Sequence, residues 1–455
     1  LGAVAGAAVA AVAGKALGLG AEGAGEVNLD STQPISTYAT TSLGNQTNNN
    51  NTVPTIYGET RVGGNRVFAD LQSGGDSNLY EIIVFASHEC EDYVSVFAGN
   101  ELMTQGTSGD TDKWRSDSDN VLAQVYTVKS TPISAVTSFS GPSTWNTSNL
   151  SGLSFQNITF SDTNIPNGIS FIVVHHKFDA TNYNKRKEIT ARIKGKKIRL
   201  ITSSTTIGST PTYSNNPTEC ILDFLTDANN FNALDSKIDI PTFFTSKTLN
   251  DTNSFFCNIG FTAKTNLSAA IQELKATNRS DIIYSQGVWK IKQDEKNKSI
   301  SFSITADDIV SGTFGWSQKK ARDIANRVVL SWINPDDQWQ TLEASIENTD
   351  LQSSDGRVYT KKVQVRGVTN LAQADVFKQL ILNQFRYTED AEGNRINVTP
   401  LVVKFTTTIK NSALEVGDMG TIDYFELPNL KQFVIMSINT KQSGELDITL
   451  REYAA

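Results

Sequence analysis

The densest group of residues that could bind a metal ion is the run His88, Glu89, Cys90, Glu91 and Asp92. Imidazole nitrogen, thiolate sulfur and carboxylate oxygen all coordinate divalent metals. A stable site would need further ligands at a usable spacing, and the sequence offers no second cluster of this kind. We therefore interpret the run as a connection between strands whose carboxylates face water, and we predict no metal and no cofactor.

The chain has only three histidines, which limits nucleophilic catalysis. His175 and His176 are adjacent on a predicted strand, so they point to opposite faces and cannot bind one ion together. We expect one of them in a core and the other exposed. No Gly-x-Ser-x-Gly elbow accompanies a histidine, and no phosphate-binding loop follows a strand, which disfavours a serine hydrolase and a nucleotide-binding enzyme.

Two pairs of carboxylates could act as the acid and base of a glycosidase: Asp307 with Asp308, and Asp336 with Asp337. Consecutive acidic residues in turns are more commonly solvated turn residues. We therefore predict that the chain is not an enzyme and that it has no catalytic residues.

The length of 455 residues exceeds one ordinary domain and indicates about three. The net charge of −8 disfavours a protein that grips nucleic acid over a broad surface, because such binding neutralises phosphates with basic residues. Cys90, Cys220 and Cys257 are far apart and odd in number. They exclude a disulfide framework and favour folding in a reducing cytoplasm.

Residues 1–25 form a hydrophobic segment rich in Ala and Gly, with Lys15 as the one charge in its first 20 positions. As a helix this stretch would span about 30 Å, the thickness of a bilayer core. Small residues recur every four positions and would form a groove for close helix packing at Gly2, Gly6, Ala10, Gly14 and Gly18. A disordered tail is the alternative, because glycine weakens helices. Since the chain begins at Leu1, we expect a longer gene product.

The remaining chain divides by pattern into four parts. Residues 26–52 are a polar linker rich in Ser, Thr, Gln and Asn, and 53–205 form a first β domain with an insertion at about 104–165 that carries short strands of its own. Residues 206–325 form an α+β middle domain, and 326–455 form a second β domain with one helix at about 370–385. The predicted fold class is mainly β with α+β.

Local signals refine this division. Asn216, Pro217 and Glu219 have the spacing of a helix start with a capping box. A second helix is predicted from Asn266, with one buried stripe formed by Leu267, Ala270, Ile271 and Leu274. Gly195 is predicted to hinge two strands, and a closing hairpin is predicted around Ser443 and Gly444.

Seven segments in a fixed order carry a resemblance to a known family. They are residues 53–65, 79–91, 191–200, 216–227, 325–339, 367–387 and 414–424. Together they resemble the tip attachment protein J family, the central tail hub proteins of long-tailed bacteriophages. The residues that carry the family motif most clearly are Tyr57, Gly58, Arg61, Gly63, Gly64, Gly417 and Asp418. The chain departs from the family by lacking a glycine after the acidic turn at 87–91 and by stopping before the fibre segments that commonly follow.

The resemblance implies a structural protein of the virion tail tip, assembled in the host cytoplasm. It implies a homotrimer whose two β-barrel-type domains per subunit form a ring that joins the tail tube to the tip and gates DNA ejection. The implied partners are other copies of the chain, distal tail or tube proteins and tip or fibre proteins. On their small-residue pattern, residues 1–25 would either plug the channel or enter the host membrane, and DNA would pass through the ring without specific binding. A β-rich surface adhesin and a tail-borne cell-wall hydrolase remain alternatives.

Overall fold

The structure is a computed structural model. It describes residues 45, 52–72, 78–106, 113–115, 123–129, 168–179, 185–263, 265–294, 298–318, 324–385, 400–427 and 431–453. Residues 1–25, including the five positions of the predicted helix groove, lie outside this part of the chain, as do most of the polar linker and most of the insertion. Among the helices of the described residues, none is both long enough and apolar enough to span a membrane.

The first part of the chain is built from strands. They are β1 (Thr55–Tyr57), β2 (Glu59–Gly63), β3 (Asn65–Leu71), β4 (Asn78–Ala86), β5 (Cys90–Ala98), β6 (Glu101–Leu102), β7 (Thr104–Gln105), β8 (Lys113–Arg115), β9 (Ala123–Val128), β10 (Ser170–Lys177), β11 (Ile189–Ile198), β12 (Ile201–Ser203), β13 (Thr206–Ile207) and β14 (Thr212–Tyr213). They form a first sheet in the order β3-β4-β10-β9-β8-β7 and a second in the order β14-β11-β5-β6, with β2 also paired to β11.

The inner faces of these two sheets share one hydrophobic core. Strands β4 and β10 contribute Ile83, Phe85, Ile172 and Val174, and β5 and β11 contribute residues that include Val96, Ala191 and Ile193. The chain passes from the second sheet to the first at Gly64, where a Cβ atom would lie 2.5 Å from the carbonyl oxygen of Val84. The first β domain is therefore two open sheets packed face to face.

The middle part combines helices with a hairpin. Its elements are α1 (Pro217–Thr226), a 3₁₀ turn (Asp235–Lys237), α2 (Ile240–Asn253), β15 (Ile259–Phe261), α3 (Leu267–Ala276), β16 (Ser280–Ser285) and β17 (Val288–Gln293). The hairpin β16-β17 turns through Gln286 and Gly287, both with positive φ, as a two-residue turn requires. Its inner face packs with α1 and α3 around a core that contains Phe224, Leu274 and Ile291.

The last part contains two cores. Its elements are β18 (Ile300–Thr305), a 3₁₀ turn (Ala306–Asp308), β19 (Gly315–Gln318), β20 (Arg327–Asn334), β21 (Gln340–Glu347), α4 (Thr349–Asp355), β22 (Thr360–Gln364), α5 (Leu371–Phe385), β23 (Leu401–Thr407), a 3₁₀ turn (Ile409–Asn411), β24 (Met419–Asp423), β25 (Lys431–Thr440) and β26 (Leu446–Glu452). One core lies between α5 and the small sheet β21-β20-β22. The other is formed by buried side chains of the sheet β18-β24-β25-β26-β23-β19 and its adjoining turns.

The mainly β architecture with α+β parts is confirmed, whereas barrel closure is not found. Among the described strands, every sheet is open; in the last sheet the edge strands are β18 and β19. That sheet also joins strands at 300–318 to strands at 401–452, so it crosses the boundary predicted at residue 325. Within the insertion, β7, β8 and β9 extend the first sheet and do not form a sheet of their own.

Three local predictions are wrong. Gly195 does not hinge two strands: β11 runs through it, and its lack of a side chain allows the carbonyl oxygen of Ile56 to lie 2.2 Å from where a Cβ would be. Glu219 does not close a capping box, because it accepts hydrogen bonds from the Ile201 N–H and the Ser214 hydroxyl. Leu267 is 39% exposed, since it begins α3 ahead of the buried stripe.

The other local predictions are confirmed. Asn216 and Asn266 cap their helices by accepting hydrogen bonds from the backbone N–H groups of Thr218 and Ala269. Helix α5 begins and ends within one residue of its predicted bounds, and β25 and β26 form the closing hairpin.

Candidate functional site

The segment from Tyr57 to Arg61 connects the first β domain to the middle part. Strand β1 pairs with β15, and β2 pairs with β11. Between them Gly58 has φ of +65°, and a Cβ there would lie 2.0 Å from the carbonyl oxygen of Cys257 and 2.3 Å from Oδ1 of Asn258. Only glycine combines this backbone conformation with so close an approach.

Asn258 ties this segment to the last part of the chain. Its Oδ1 accepts a hydrogen bond from the Glu59 N–H at 2.7 Å, and its Nδ2 donates to Oγ1 of Thr369 at 2.6 Å. Its backbone N–H donates to the carbonyl oxygen of Gly367 at 2.9 Å. One buried amide therefore holds three segments that are distant in sequence.

Arg61 completes the connection. It is 2% exposed, and it donates hydrogen bonds to Oγ1 of Thr190 at 3.0 Å and to the carbonyl oxygens of Gly99 at 3.0 Å and Gln338 at 3.4 Å. The guanidinium lies 4.0 Å from the centroid of the Phe97 ring, and burial lowers the arginine pKa. We call the contacts made by residues 57–61 with these segments the Arg61 junction. The acceptors of Arg61 in this junction are uncharged.

Tyr57 lies at one side of the same junction. Its hydroxyl donates to Oδ2 of Asp223 at 2.7 Å, and Lys196 donates to the same oxygen at 2.6 Å and also to Asp227. Burial, followed by the charge of Asp223, raises the tyrosine pKa well above its usual range. The phenol therefore stays protonated and acts as a structural donor. Gly63, the last residue of β2, pairs with Thr190 in β11.

Gly417 and Asp418 form a second contact, between the hairpin β16-β17 and the last sheet. Gly417 has φ of +83°, and a Cβ there would lie 3.0 Å from Cβ of Lys292. Lys292 Nζ lies 2.9 Å from Asp418 Oδ1 and 3.2 Å from Glu415 Oε2, and Lys290 also pairs with Glu415. We call this group of ion pairs the Lys292 junction.

The residues of the run that begins at His88 have structural roles. The ring Nε2 of His88 accepts a hydrogen bond from the Ile56 N–H at 3.0 Å, and burial lowers the pKa of His88 to about 4. Burial also raises the pKa of Cys90 to about 12, so its thiol stays protonated. Glu89 and Glu91 are exposed and pair with Lys197. The predicted solvent-facing carboxylates are thus confirmed for these two residues.

The two adjacent histidines point to opposite faces of β10, as predicted. His176 is buried, and its Nε2 lies 3.1 Å from Oε2 of Glu81. His175 is only partly exposed: it stacks on Tyr80 at 4.5 Å between ring centroids and contacts Oδ1 of Asn78 at 3.0 Å. Burial lowers the pKa of His175 to about 4.

The carboxylate pairs lie in turns. Asp308 caps its 3₁₀ turn by accepting from the backbone N–H and hydroxyl of Thr305, while the neighbouring Asp307 is exposed. Asp336 and Asp337 are both exposed in the turn after β20. Within the described ranges, no group of three or more His, Cys, Asp or Glu side chains is placed to hold a metal ion.

Two buried polar groups were not predicted. Glu81 is fully buried between Arg66, His176 and Arg186. Burial alone would raise its pKa, but hydrogen bonds and charges from His176 and Arg186 outweigh burial and lower the pKa to about 2. In the sequence, this cluster is indicated by the charged residue Glu81 within the apolar run 80–87.

The second group is a network of uncharged side chains between α1, α2 and β17. Thr218 lies 2.8 Å from Ser246, Gln293 donates to Asn250 at 2.8 Å, and Asn250 donates to Thr218 at 2.8 Å. The members come from distant segments, so no local spacing in the sequence indicates them. Both groups connect elements that pack against each other.

Comparison with known proteins gives one family match. Residues 266–423, about a third of the chain, match the model of a family described as a putative phage tail protein. This range contains the elements from α3 to β24. It therefore includes both sides of the Lys292 junction, the hairpin β16-β17 and the segment around Gly417. A search of curated proteins finds no match to this chain.

Solved structures give a match over the whole chain. A chain from the virion of a native gene transfer agent particle is similar, with a TM-score of 0.58 and 14% identity, over 100% of this chain and 96% of that chain. The 43 kDa tail protein of prophage MuSo2 from Shewanella oneidensis has a TM-score of 0.32 and 10% identity, over 89% and 98% of the two chains. The tail protein from Neisseria meningitidis MC58 has a TM-score of 0.31 and 8% identity, over 88% and 95%. Residues 266–423 therefore carry the sequence pattern of a phage tail protein family, and the whole chain has the fold of a protein found in a virion particle.

Proposed function

We propose that this chain is a structural tail hub, or tip attachment protein, of a phage-type virion. The observation that carries the proposal is the match of residues 266–423 to a phage tail protein family, within a chain that shares its whole fold with a protein of a gene transfer agent virion. In this role three copies form a ring that joins the tail tube to the tip and gates DNA ejection. The protein is not an enzyme in this proposal.

The two junctions support a structural role. The Arg61 junction buries a guanidinium and a close glycine contact between the first β domain, the middle part and the strand β20 region. The Lys292 junction connects the middle hairpin to the last sheet. Contacts of this kind suit a subunit that has to keep its parts together between a tube and a tip.

The charge and the remaining segments suit the proposed location. A net charge of −8 offers few basic contacts to phosphates, so DNA would pass through the ring with little adhesion. The proposed partners are other copies of the chain, tube proteins on one side and tip or fibre proteins on the other. Residues 1–25 pack as three helices through Gly2, Gly6, Ala10, Gly14 and Gly18, in the channel or in the host membrane.

Light scattering on the purified full chain tests the assembly. A trimer would have about three times the subunit mass of 49.6 kDa. Since neighbouring tail proteins can be needed for assembly, particles that carry an affinity tag at the C-terminus of this chain should also be imaged. Three tags at the tail tip support the proposal. A single copy in an intact tail, or tags on the head or along the tube, would contradict it.

A further inference from the structure

The last sheet ends in two strands whose outer edges are open. Among the described strands, β18 pairs only with β24, and β19 pairs only with β23. The backbone N–H and C=O groups on the outer side of an edge strand can pair with a strand of another chain. Proteins usually prevent such pairing with charged residues, proline or very short strands at the edge. The composition of an edge strand therefore indicates whether it is protected.

Strands β18 and β19 lack this protection. Their sequences, Ile-Ser-Phe-Ser-Ile-Thr at 300–305 and Gly-Trp-Ser-Gln at 315–318, contain no charge and no proline. Within the described ranges, every other edge strand of four or more residues carries at least one charged residue; those strands are β2, β3, β16, β17, β21 and β22. The two uncharged edges belong to one sheet and lie on its opposite sides.

Each of the two strands also leaves a large apolar side chain partly uncovered. Ile300 is 54% exposed in β18, and Trp316 is 53% exposed in β19. Trp316 pairs with Val403, which is buried in the core of this sheet, so the indole lies on the same face and extends that core to the edge. A strand added at either edge would therefore cover apolar surface as well as pair the backbone.

The backbone of β18 is directed for such pairing. The Thr305 N–H donates to Oδ2 of Asp308 at 3.0 Å and therefore takes no part in the ladder with β24. Since N–H groups alternate between the two sides of a strand, the N–H of Ser303 also points away from β24, towards the open edge. The one irregularity of this ladder lies between Ile300 and Phe302, so an added strand meets a regular edge from Phe302 onward.

We propose that β18 of one copy pairs with β19 of the next copy, so that the last sheet continues from copy to copy. This inference rests on the proposed ring and names the surfaces that join its copies. The two edges match, because neither carries a charge and each brings one exposed apolar side chain. Head-to-tail pairing uses both edges of every copy in a closed ring, whereas a two-fold pairing of β18 with β18 would leave β19 open.

Disulfide cross-linking of the full chain tests this pairing. Ser303 and Ser317 are exposed in β18 and β19, and the three cysteines of the chain are buried. After oxidation with copper phenanthroline, Ser303→Cys/Ser317→Cys should migrate as linked dimers and trimers on a non-reducing gel, and each single variant should migrate as one chain. The matched control is Ser345→Cys/Ser317→Cys, which should also stay a single chain, because Ser345 is exposed in the edge strand β21 that Glu343 and Glu347 protect.

Light scattering before oxidation separates this inference from the proposed ring. A trimer, in solution or in purified particles, that gives no cross-link in the double variant would overturn the inference and leave the ring intact. Linked dimers from Ser303→Cys alone would overturn it in favour of two-fold pairing, and a disulfide within one chain would overturn it because the two edges would then face each other. Chains that stay single in both preparations would overturn both proposals. As a second measurement, Ser303→Pro removes the outward N–H and should shift the trimer towards the subunit mass.

Discussion

The Arg61 and Lys292 junctions both connect parts of the chain, but they do so by different means. In the Arg61 junction one guanidinium is 2% exposed and donates to uncharged acceptors, and a glycine allows backbone atoms to touch. In the Lys292 junction lysine side chains that are 15% and 22% exposed pair with Glu415 and Asp418.

This difference predicts different responses to solution conditions. Close backbone contacts and buried hydrogen bonds depend on shape and change little with salt. Ion pairs that water can reach lose part of their strength as ionic strength rises. The first β domain should therefore remain attached to the middle part under conditions that loosen the last sheet.

Substitution of Gly58 by alanine should have the largest effect. The left-handed backbone costs alanine about 1–2 kcal/mol, and the clash with the carbonyl oxygen of Cys257 adds about 1–3 kcal/mol. Urea unfolding should show a loss of about 3 kcal/mol. Gly356→Ala is the matched control, because its φ is +63° and a Cβ there meets nothing within 4 Å. Equal losses in the two variants would show that the close approach at Gly58 has no energetic consequence.

Arg61→Met should cost about 2–3 kcal/mol of unfolding free energy, because it leaves the hydroxyl of Thr190 and the carbonyl oxygen of Gly99 with unmet hydrogen bonds. The loss should be the same in 0.05 M and 0.5 M NaCl. Arg199→Met, which removes an exposed pair with Asp235, is the control and should cost less than about 1 kcal/mol. A loss at Arg61 that disappears in high salt would contradict the contrast between the junctions.

Acid should weaken the attachment of β1 through His88. The folded-state pKa of about 4 lies below the ordinary value of 6.5, so the unfolded chain takes up this proton first as pH falls. The stability from the neutral ring is complete above pH 6.5 and is lost as pH falls towards 4, by about 2–3 kcal/mol. In His88→Gln, the decline in urea midpoint between pH 7 and pH 4.5 should be shallower than in the unchanged protein. Parallel declines would exclude His88 as a source of acid sensitivity.

Glu415→Gln should have the smallest effect, about 1 kcal/mol at 0.05 M NaCl, because it removes the charge that pairs with Lys290 and Lys292. The loss in urea midpoint should shrink at 0.5 M NaCl. Glu445→Gln is the control, since Glu445 is 40% exposed and lies 3.9 Å from Lys441. If the loss at Glu415 is independent of salt, the Lys292 junction is held by packing around Gly417 and not by charge.

The sequence predicted elements whose signals are local. The periodicity of 371–385 and the caps at Asn216 and Asn266 depend on residues within one or two turns, and the structure has those helices. Gly58 and Arg61 belong to the family motif predicted from the sequence, but the hydrogen-bond acceptors of Arg61 lie at Gly99, Thr190 and Gln338. Such partners depend on tertiary packing, which periodicity does not report.

Local periodicity and capping residues do not predict sheet closure or domain boundaries. The sequence of residues 300–305 does not predict that this strand pairs with β24. Alternation of apolar and polar residues does not distinguish an open sheet from a barrel. The division of the chain into the predicted domains stays a prediction, although one sheet crosses residue 325. The functional role of the motif residues also stays a prediction.

The parallel pairing of β18 with β24 has a consequence for synthesis of the protein. Ile300 pairs with Met419, so about 120 residues are translated between the two partners. At about 5–20 residues per second, β18 leaves the ribosome on the order of 6–24 s before β24 does. During this interval β18 has no sheet to join, so its backbone N–H and C=O groups stay open to pairing with neighbouring chains.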